Sequence, residues 1–477
     1  MEMKYSLREK WVLYNNIDLI VELNQIKIIK SSNGKEEVLV YISKSDAIII
    51  LMFDGKNTIS DIIQCTGKLF DLDNEDAKNK VLNLMNIFSN ILTSNVAEKK
   101  DRSEQYNKVV ASLHKRNKRI EKLAAPSRWR AKTPKNLVIF LTDLCSSKCS
   151  YCCVGACQPK TFNSLSYEQV EKLINQAKVL GVESIELTGG DPMVHPKIME
   201  IIELIINNGI ELIISTKHAM DEKFLKGLVK VGLKKIQISL DTIDSNLYEK
   251  LIGKDSKNLE ITLKNIDFFI ENNIQCKVKS IIIDQNIQTI PLMIEELYKR
   301  NVRHFMVQAY NKGSCHDDSF YSDINDFCKM DKYLDEISSK YEDILIEKGY
   351  KIEKITGSYD YMKVTRMYCM AGKTGLAVYA DGYYSYCAHG VNDELKIAHI
   401  DEMSLIDVWS SKNLLNFMKP NRDLFKNTKC ETCKIFDSCS ERRCYLRTLM
   451  TYNTLYDIDP MCPYSDVNIF TDERNYL

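Results

Sequence analysis

Residues 136–153 read NLVIFLTDLCSSKCSYCC, an apolar stretch followed at once by four cysteines. The apolar part predicts a buried β-strand. Cys145, Cys149 and Cys152 follow it with three and then two residues between them. Thiolates bind both iron–sulfur clusters and zinc, so a loop of this kind indicates a metal site. Three thiolates can hold three irons of a cubane cluster and leave the fourth iron open. A zinc site is the alternative, and Cys153 or Cys157 could supply a fourth ligand, although we interpret both as non-ligands.

Strand-like and helix-like patterns alternate downstream of this first strand. The predicted strands are 136–142, 184–190, 210–216, 234–241, 275–283 and 302–309, and the predicted helices are 166–181, 196–209, 221–232, 258–273 and 289–301. Ser166 and Gln169 have the spacing of a capping box at the start of the first helix. About six successive βα units predict an α/β fold with a parallel sheet, open or curled into a partial barrel. Functional residues of such folds lie at the carboxyl ends of the strands.

The composition is that of an ordinary globular protein with two or three domains. The chain has 477 residues with 44% hydrophobic and 27% charged side chains, and its net charge is zero. Composition therefore gives no case for nucleic acid as a partner. The first residues lack the apolar core of a secretory signal, and the longest apolar run, Ala47–Phe53, is too short to span a bilayer. We therefore expect a cytoplasmic protein without a membrane partner.

The cysteines divide the chain further. Of 16 cysteines, five lie in residues 145–157 and seven in residues 369–462, and two dense groups in a reducing compartment indicate metal sites. We predict a small α+β domain in residues 1–97, with strands at 18–23, 25–30 and 37–43 and helices at 43–53, 58–70 and 74–92. Residues 98–135 are a basic linker, because thirteen Lys and Arg there face four Asp and Glu. The barrel takes residues 136–360, and a cysteine-rich domain takes residues 361–477.

The cysteine triplet after the first strand of a βα series resembles the signature of the radical S-adenosylmethionine (SAM) superfamily. The resemblance implies a partial (β/α)6 barrel in which Cys145, Cys149 and Cys152 bind a [4Fe–4S] cluster. SAM would occupy the open iron, and one electron would cleave it to a 5′-deoxyadenosyl radical. Tyr151 matches the family's aromatic residue, whereas Ser146 stands where many relatives have Asn. The further SAM-binding residues that the family motifs imply are Gly189, Gly190, Asp191 and Pro192 after the second strand, Ser215 after the third, and Ser239 and Asp241 after the fourth; Thr216 and Asn286 are weaker candidates.

The seven cysteines of the tail resemble the SPASM extension of radical SAM enzymes, which carries two auxiliary [4Fe–4S] clusters. The resemblance assigns Cys369, Cys387 and Cys444 to the first auxiliary cluster, which would have an open iron, and Cys430, Cys433, Cys439 and Cys462 to the second. The chain departs from the family in one gap, since four residues rather than three separate Cys439 from Cys444. A zinc ribbon is the alternative, but it would use only four of the seven cysteines.

Three predicted strands and then three predicted helices, with ISKSDAIIILMFDGKNTISDII (residues 42–63) at their centre, make residues 1–97 resemble PqqD-like precursor-recognition domains. These are winged-helix modules that bind a leader peptide as an additional strand. A winged-helix module for dimerisation or with a structural role is the alternative. Thr58 and Asp61 are spaced as a capping box within this region.

Taken together, the three resemblances imply a radical SAM/SPASM peptide maturase. The expected cofactors are SAM and three [4Fe–4S] clusters, and the expected partners are a precursor peptide and an electron donor such as flavodoxin or ferredoxin. We favour thioether formation from a peptide cysteine, as in sactipeptide and ranthipeptide synthases, over carbon–carbon crosslinking, epimerisation or side-chain oxidation. An iron–sulfur scaffold or redox sensor is the alternative of another class. No catalytic base or hydrogen donor is identified, although Asp284, Tyr310, His389 and several other tyrosines are candidates. Cys153, Cys157 and Cys315 are candidate donors, but we favour their interpretation as buried small residues.

Overall fold

The computed structural model describes residues 6–21, 25–32, 35–95, 100–113, 130–155, 162–310, 318–355, 361–365, 369–439, 443–460, 462 and 465. The chain divides into two compact units, residues 1–134 and 135–477. Within the described residues, no helix is long and apolar enough to cross a membrane.

The first unit is an α+β module with a winged-helix-like order of elements. Its strands are β1 (Lys10–Leu13), β2 (Ile17–Val21), β3 (Ile26–Ser32), β4 (Lys35–Ile42), β5 (Asp54–Thr58) and β6 (Leu92–Thr93), and its helices are α1 (Lys44–Leu51), α2 (Ile59–Phe70), α3 (Asn74–Ile87) and α4 (Ser103–Leu113). They form two antiparallel sheets of order β2–β3–β4 and β5–β1–β6. Residues 47–51 of α1 are all buried, so the polar residues of this short helix are confined to its first turn, Lys44–Asp46.

The second unit is built on one sheet of ten strands. The strands of this unit are β7 (Asn136–Thr142), β8 (Ser184–Gly189), β9 (Glu211–Thr216), β10 (Lys235–Ser239), β11 (Gln275–Ile282), β12 (His304–Ala309), β13 (Leu345–Lys348), β14 (Lys351–Ile355), β15 (Tyr361–Thr365), β16 (Gly375–Val378), β17 (Tyr383–Ser385) and β18 (Lys396–His399). The order in the large sheet is β13–β12–β11–β10–β9–β8–β7–β16–β17–β18, and β14 pairs with β15 separately. Neighbours from β13 to β16 are parallel, whereas β16–β17 and β17–β18 are antiparallel.

Helices connect the parallel strands as a βα series requires. They are α5 (Tyr167–Leu180), α6 (Ile198–Asn207), α7 (Glu222–Lys230), α8 (Ser245–Ile252), α9 (Ser256–Glu271), α10 (Ile290–Lys299) and α11 (Ile324–Lys340), followed in the tail by α12 (Leu405–Trp409), α13 (Lys412–Met418), α14 (Phe436–Cys439) and α15 (Tyr445–Tyr452). The six predicted βα strands are confirmed within two residues at each end. Both predicted capping boxes are also present, at Thr58 with Asp61 and at Ser166 with Gln169.

The sheet continues past the barrel into the tail. Strand β16 pairs in parallel with β7, the first barrel strand, so residues after 360 extend the barrel sheet. The predicted boundary at residue 360/361 stays a prediction, as does the one at residue 97/98. Residues 98–99 and 114–129 of the basic linker lie outside the described residues.

Candidate functional site

The predicted site residues follow the carboxyl ends of neighbouring strands. Cys145 comes three residues after β7, Gly189 ends β8, Thr216 ends β9 and Ser239 ends β10. Because β7 to β10 are parallel neighbours, these ends lie along one edge of the sheet.

The cysteine loop is fixed by backbone hydrogen bonds on two sides. The N–H groups of Lys148 and Ser150 each donate to a carbonyl at the end of α8, both at 2.9 Å. On the other side, the N–H of Gly190 donates to the Thr142 carbonyl at 2.7 Å, and that of Asp191 donates to the Leu144 carbonyl at 2.8 Å. The loop is therefore positioned by the backbone before any metal binds.

The glycine pair makes that second set of contacts possible. Gly189 has a φ of 135°, which an L side chain rarely adopts, and a Cβ on Gly190 would lie 2.1 Å from the Leu144 carbonyl oxygen. A side chain at either position would push the end of β8 away from the cysteine loop. Steric constraints therefore explain why glycine occupies positions 189 and 190 in this structure.

The three thiols of the loop are electrostatic neighbours. The pKa of Cys145 is raised to about 11 and that of Cys149 to about 12, mainly by burial, and the charge of Cys152 contributes to both increases. The ammonium of Lys217 acts in the opposite direction on both thiols. Within the described residues, no three His, Cys, Asp or Glu side chains converge as ligands of a single metal ion. Each cysteine ligand of a cubane cluster binds a different iron, so the ligands need not converge on one metal ion. The three cysteines of the loop therefore fit a cluster.

Asp241 lies beside the thiols and is held by three donors. Its Oδ2 accepts a short hydrogen bond from the Tyr151 hydroxyl and faces the Lys217 ammonium at 2.9 Å, while its Oδ1 accepts from the Ile281 N–H at 2.7 Å. Its backbone carbonyl accepts from Asn286 Nδ2 at 2.9 Å. Asp241 therefore links the cysteine loop to the ends of β9 and β11. The predicted contact of Asp241 with SAM stays a prediction.

Asp191 joins the glycine turn to the end of β9. Its carboxylate accepts hydrogen bonds from the Thr216 hydroxyl at 2.8 Å, from the Lys217 N–H at 2.9 Å and from the Met193 N–H at 3.0 Å. Burial nevertheless leaves the pKa of Asp191 raised. Pro192 opens the short turn that Asp191 caps.

Ser215 and Ser239 occupy different surroundings from Asp191 and Asp241. The Ser215 hydroxyl donates to Glu186 Oε1 at 2.9 Å and accepts from Gln237 Nε2 at 2.6 Å. Ser239 is half-buried at the end of β10, beside Lys279 of β11 in the parallel register. Both residues stay predicted SAM contacts. Cys153 is partly exposed next to the loop, whereas Cys157 and Cys315 lie outside the described residues.

The cysteines assigned to the first auxiliary cluster surround one phenol. Burial raises the pKa of Tyr386 well above its ordinary value, and the charges of Cys369, Cys387 and Cys444 raise it further. The Tyr386 ring stacks on Phe417, with centroids 4.6 Å apart. Cys369, Cys387 and Cys444 come from distant parts of the tail, and the fold brings them to one place.

The cysteines assigned to the second auxiliary cluster form another group. Cys430, Cys433 and Cys462 pack in one apolar cluster with Phe425 and Phe436. Burial raises the pKa of Cys439, and the charges of Cys462 and Cys430 contribute to the increase. All four cysteines are therefore neighbours, as a shared cluster requires.

The candidates for a catalytic base pack beside residues of these groups. Tyr310 is buried against Phe320 and Tyr321. The N–H of Asp284 donates to the Phe320 carbonyl, and the N–H of His389 donates to Cys387 Sγ at 3.4 Å. These contacts identify no catalytic role for Tyr310, Asp284 or His389.

Sequence reasoning missed three charged residues beside the predicted ligands. Lys217 directly follows Thr216 at a strand end, a position that could have drawn attention to it. Arg443 and Arg447 flank Cys444, and a pair of cations next to a ligand cysteine was the available signal. Helix α8, which holds the cysteine loop, was also missed because its eight residues follow the polar segment DTID.

Comparison with known proteins agrees with the fold and the cysteine pattern. Residues 139–297 match the family model of the radical SAM superfamily, and residues 369–440 match that of an iron–sulfur cluster-binding domain, SPASM. The chain therefore has a radical SAM partial barrel followed by a SPASM domain.

Two curated proteins with sequence similarity to this chain carry different names. The chain is 33% identical over 132 residues to a probable GTP 3′,8-cyclase of Thermococcus kodakarensis, covering 28% of this chain and 42% of that protein. It is 26% identical over 313 residues to the molybdenum cofactor biosynthesis protein moc-5 of Caenorhabditis elegans, covering 62% of this chain and 51% of that protein. The chain thus spans about half the length of the curated relatives it matches.

Solved structures show the same fold over a greater length. The structure of Streptococcus suis SuiB bound to precursor peptide SuiA aligns with a TM-score of 0.59 at 20% identity, covering 94% of this chain and 98% of that one. The structure of anSMEcpe with bound AdoMet aligns with a TM-score of 0.50 at 14% identity, covering 68% and 90% of the two chains.

Proposed function

We propose that this protein is a radical SAM enzyme that modifies a ribosomally made precursor peptide. The observation that carries the proposal is the grouping of Cys145, Cys149 and Cys152 with the Lys217–Asp241 ion pair at the carboxyl edge of the parallel sheet. The likeness of the fold to SuiB, a protein crystallised with its precursor peptide, supports a peptide as the substrate.

The donors at this edge suit an iron–sulfur cluster with SAM. Cys145, Cys149 and Cys152 would hold the cluster, and the turn from Gly189 to Pro192 would bind the methionine amino group. The bound cluster and SAM would supply a 5′-deoxyadenosyl radical able to remove a hydrogen atom from the peptide. Lys217 keeps a positive charge beside the thiols, because Asp241 raises its pKa despite a burial that lowers it. That charge favours the thiolates that metal binding needs.

Residues 1–97 would bind the leader part of the precursor as a PqqD-like domain. Their two small antiparallel sheets support this role, because each sheet presents edge strands to which an extended peptide could be added. An electron donor such as flavodoxin or ferredoxin would supply the electron that SAM cleavage consumes.

The modification we favour is a thioether between a peptide cysteine and a carbon atom. Removing a hydrogen atom and forming a bond leaves one electron to be taken up, and the two groups of tail cysteines could hold clusters for this purpose. Carbon–carbon crosslinking has the same electron balance, whereas epimerisation does not need an acceptor. Side-chain oxidation is a further alternative.

Cyclisation of GTP is a second candidate, favoured by the 33% identity to a probable GTP 3′,8-cyclase. That identity is confined to 28% of the chain, too little to include both the first unit and the tail cysteines.

Anaerobic reaction with SAM and a reductant would test the proposal, with a short peptide encoded beside the gene as substrate. Each crosslink should lower the peptide mass by two hydrogens, and thiol labelling should then separate a thioether from a carbon–carbon bond. The matched control is the variant with Cys145, Cys149 and Cys152 replaced by Ala, which should form no 5′-deoxyadenosine. Consumption of GTP in place of the peptide would support the cyclase instead, and retained function in the triple variant would support the scaffold alternative.

A further inference from the structure

Arg443 is a buried arginine whose side chain reaches a predicted ligand of the second auxiliary cluster. Its Nη2 donates to Cys430 Sγ at 3.3 Å, and its Nη1 donates to the Asp457 carbonyl at 2.5 Å. Its guanidinium carbon lies 4.3 Å from the centroid of the Phe425 ring and 5.7 Å from that of Phe436. Only 5% of the residue is exposed, so packing and hydrogen bonds together fix the guanidinium against the sulfur.

Among the described residues, the charge of this guanidinium has no carboxylate partner. No salt bridge involves Arg443 within the described part of the chain, and its buried Nε has no hydrogen-bond partner there. A buried cation is costly unless a negative group lies close to it. The aromatic rings contribute only a small part of that compensation. The Cys430 sulfur, which can carry negative charge, lies within hydrogen-bond distance of the guanidinium.

A cluster with four thiolate ligands would supply the missing negative charge. Cys433, Cys439 and Cys462 lie around Cys430, and the charge of Arg443 lowers the pKa of Cys439, which burial raises overall. The guanidinium thus contacts one sulfur of this group and acts electrostatically on a second, Cys439. Arg443 is also the last residue of the gap between Cys439 and Cys444, where the chain departs from the spacing of the domain it resembles.

We propose that Arg443 is a positioning residue that donates an N–H···S hydrogen bond to the second auxiliary cluster and raises its reduction potential. The inference rests on the proposed ligand set Cys430, Cys433, Cys439 and Cys462. Reduction adds one negative charge to the cluster, and a fixed cation hydrogen-bonded to a ligand sulfur stabilises the reduced form. The cluster is thereby suited to accept the electron left when a new bond forms on the peptide.

An EPR-monitored redox titration of the full-length protein, reconstituted anaerobically with iron and sulfide, tests this inference. The variant Arg443→Gln removes the charge, and Arg443→Lys keeps the charge but loses the planar fork of donors. Arg422→Gln is the matched control, because Arg422 lies 4.5 Å from the Phe436 centroid but donates to backbone carbonyls of the same loop.

In Arg443→Gln, we expect the ratio of reduced to oxidised cluster at a fixed potential to fall about tenfold, which is 59 mV for a one-electron couple. Arg443→Lys should show a smaller fall, and Arg422→Gln should keep the wild-type potential. A wild-type potential in Arg443→Gln with full iron content, or an equal shift in Arg422→Gln, would overturn the inference.

Wild-type protein labelled with 15N-arginine provides a measurement that no folding defect affects. A hyperfine coupling between the reduced cluster and an arginine nitrogen should be present in the wild type and absent from Arg443→Lys. If a wild type that holds the cluster shows no such coupling, the proposed role of Arg443 is overturned and the proposed ligand set is not. A wild type that binds no cluster through these four cysteines would overturn the proposed ligand set, and the inference with it.

Discussion

The Lys217 ammonium lies 2.9 Å from Oδ2 of Asp241, beside the cysteine loop. The Lys217 side chain is 17% exposed and that of Asp241 is 1% exposed, so water screens the pair weakly. The same Asp241 oxygen accepts a hydrogen bond from Tyr151, which precedes the third cysteine of the loop. One ion pair therefore connects the end of β9 to the loop that carries the predicted cluster ligands.

Replacing Lys217 with Met should destabilise the protein by about 3–5 kcal/mol, because the Asp241 carboxylate would stay buried without its counterion. The measurement is the free energy of unfolding in urea, followed without metal. The matched control is Lys235→Met, since Lys235 pairs with Glu211 in a half-exposed ion pair and should contribute about 0–1 kcal/mol. Equal losses in the two variants would contradict the importance we give to the buried pair.

Replacing Gly190 with Ala should displace the cysteine loop, because the new Cβ would lie 2.1 Å from the Leu144 carbonyl oxygen. We expect a loss of about 2–3 kcal/mol, typical of overpacking against the backbone, together with lower iron content after reconstitution. Gly209→Ala is the control: Gly209 has a φ of 70° but no atom within 4 Å of the new Cβ. It should lose about 1 kcal/mol and keep its iron. Full iron content in Gly190→Ala would show that the loop tolerates displacement.

The loop thiols of the metal-free protein should react slowly with iodoacetamide at pH 8. Burial raises the pKa of Cys145 to about 11 and that of Cys149 to about 12, and the thiolate is the reactive form. Against an ordinary thiol pKa of about 8.5, the thiolate fraction of Cys145 at pH 8 should be smaller by roughly 200-fold.

The alkylation rate of both loop thiols should rise about tenfold for each pH unit from 8 to 10. Peptide mass spectrometry after timed alkylation measures the rate for each cysteine, and the exposed Cys65 serves as the internal reference. Labelling of Cys149 at the rate of Cys65 at pH 8 would contradict the burial of this thiol.

Periodicity predicted the fold well because each barrel element has a strong local signal. Strand residues 136–142 are almost entirely apolar, and Ser166 begins its helix with a capping box whose two hydrogen bonds are both present. Motif spacing also predicted Asp191 and Asp241 as site residues. It could not predict which side chains would contact them. Lys217 reaches Asp241 only because β9 and β10 are adjacent in the sheet, and single-sequence patterns carry no information about such distant pairing.

The tail illustrates the same limit in a region with little regular structure. Cys369, Cys387 and Cys444 are far apart in sequence, and only the resemblance to the SPASM domain grouped them. Their common neighbour, Tyr386, had no distinguishing feature among 25 tyrosines.

Arg447 and Asp459 should stabilise the backbone at Cys444 as a coupled pair. Both guanidinium contacts to the carboxylate are 2.8 Å long, and Asp459 Oδ2 also accepts from the Cys444 N–H at 2.9 Å. The two side chains are 14% and 13% exposed, so the bidentate pair is largely shielded from water. A double-mutant cycle with Arg447→Gln and Asp459→Asn should give a coupling energy of about 1–3 kcal/mol in urea unfolding.

The effect on metal binding should differ between the two single variants. Asp459→Asn weakens both the ion pair and the bond to the Cys444 N–H, whereas Arg447→Gln leaves that bond in place. We therefore expect Asp459→Asn to lose more iron than Arg447→Gln after reconstitution, measured as iron per chain in the full-length protein. The control Lys396→Gln, which breaks ion pairs with Asp381 and Asp393 in another part of the tail, should keep its iron. Equal iron in Asp459→Asn and the wild type would mean that the position of Cys444 does not depend on Asp459.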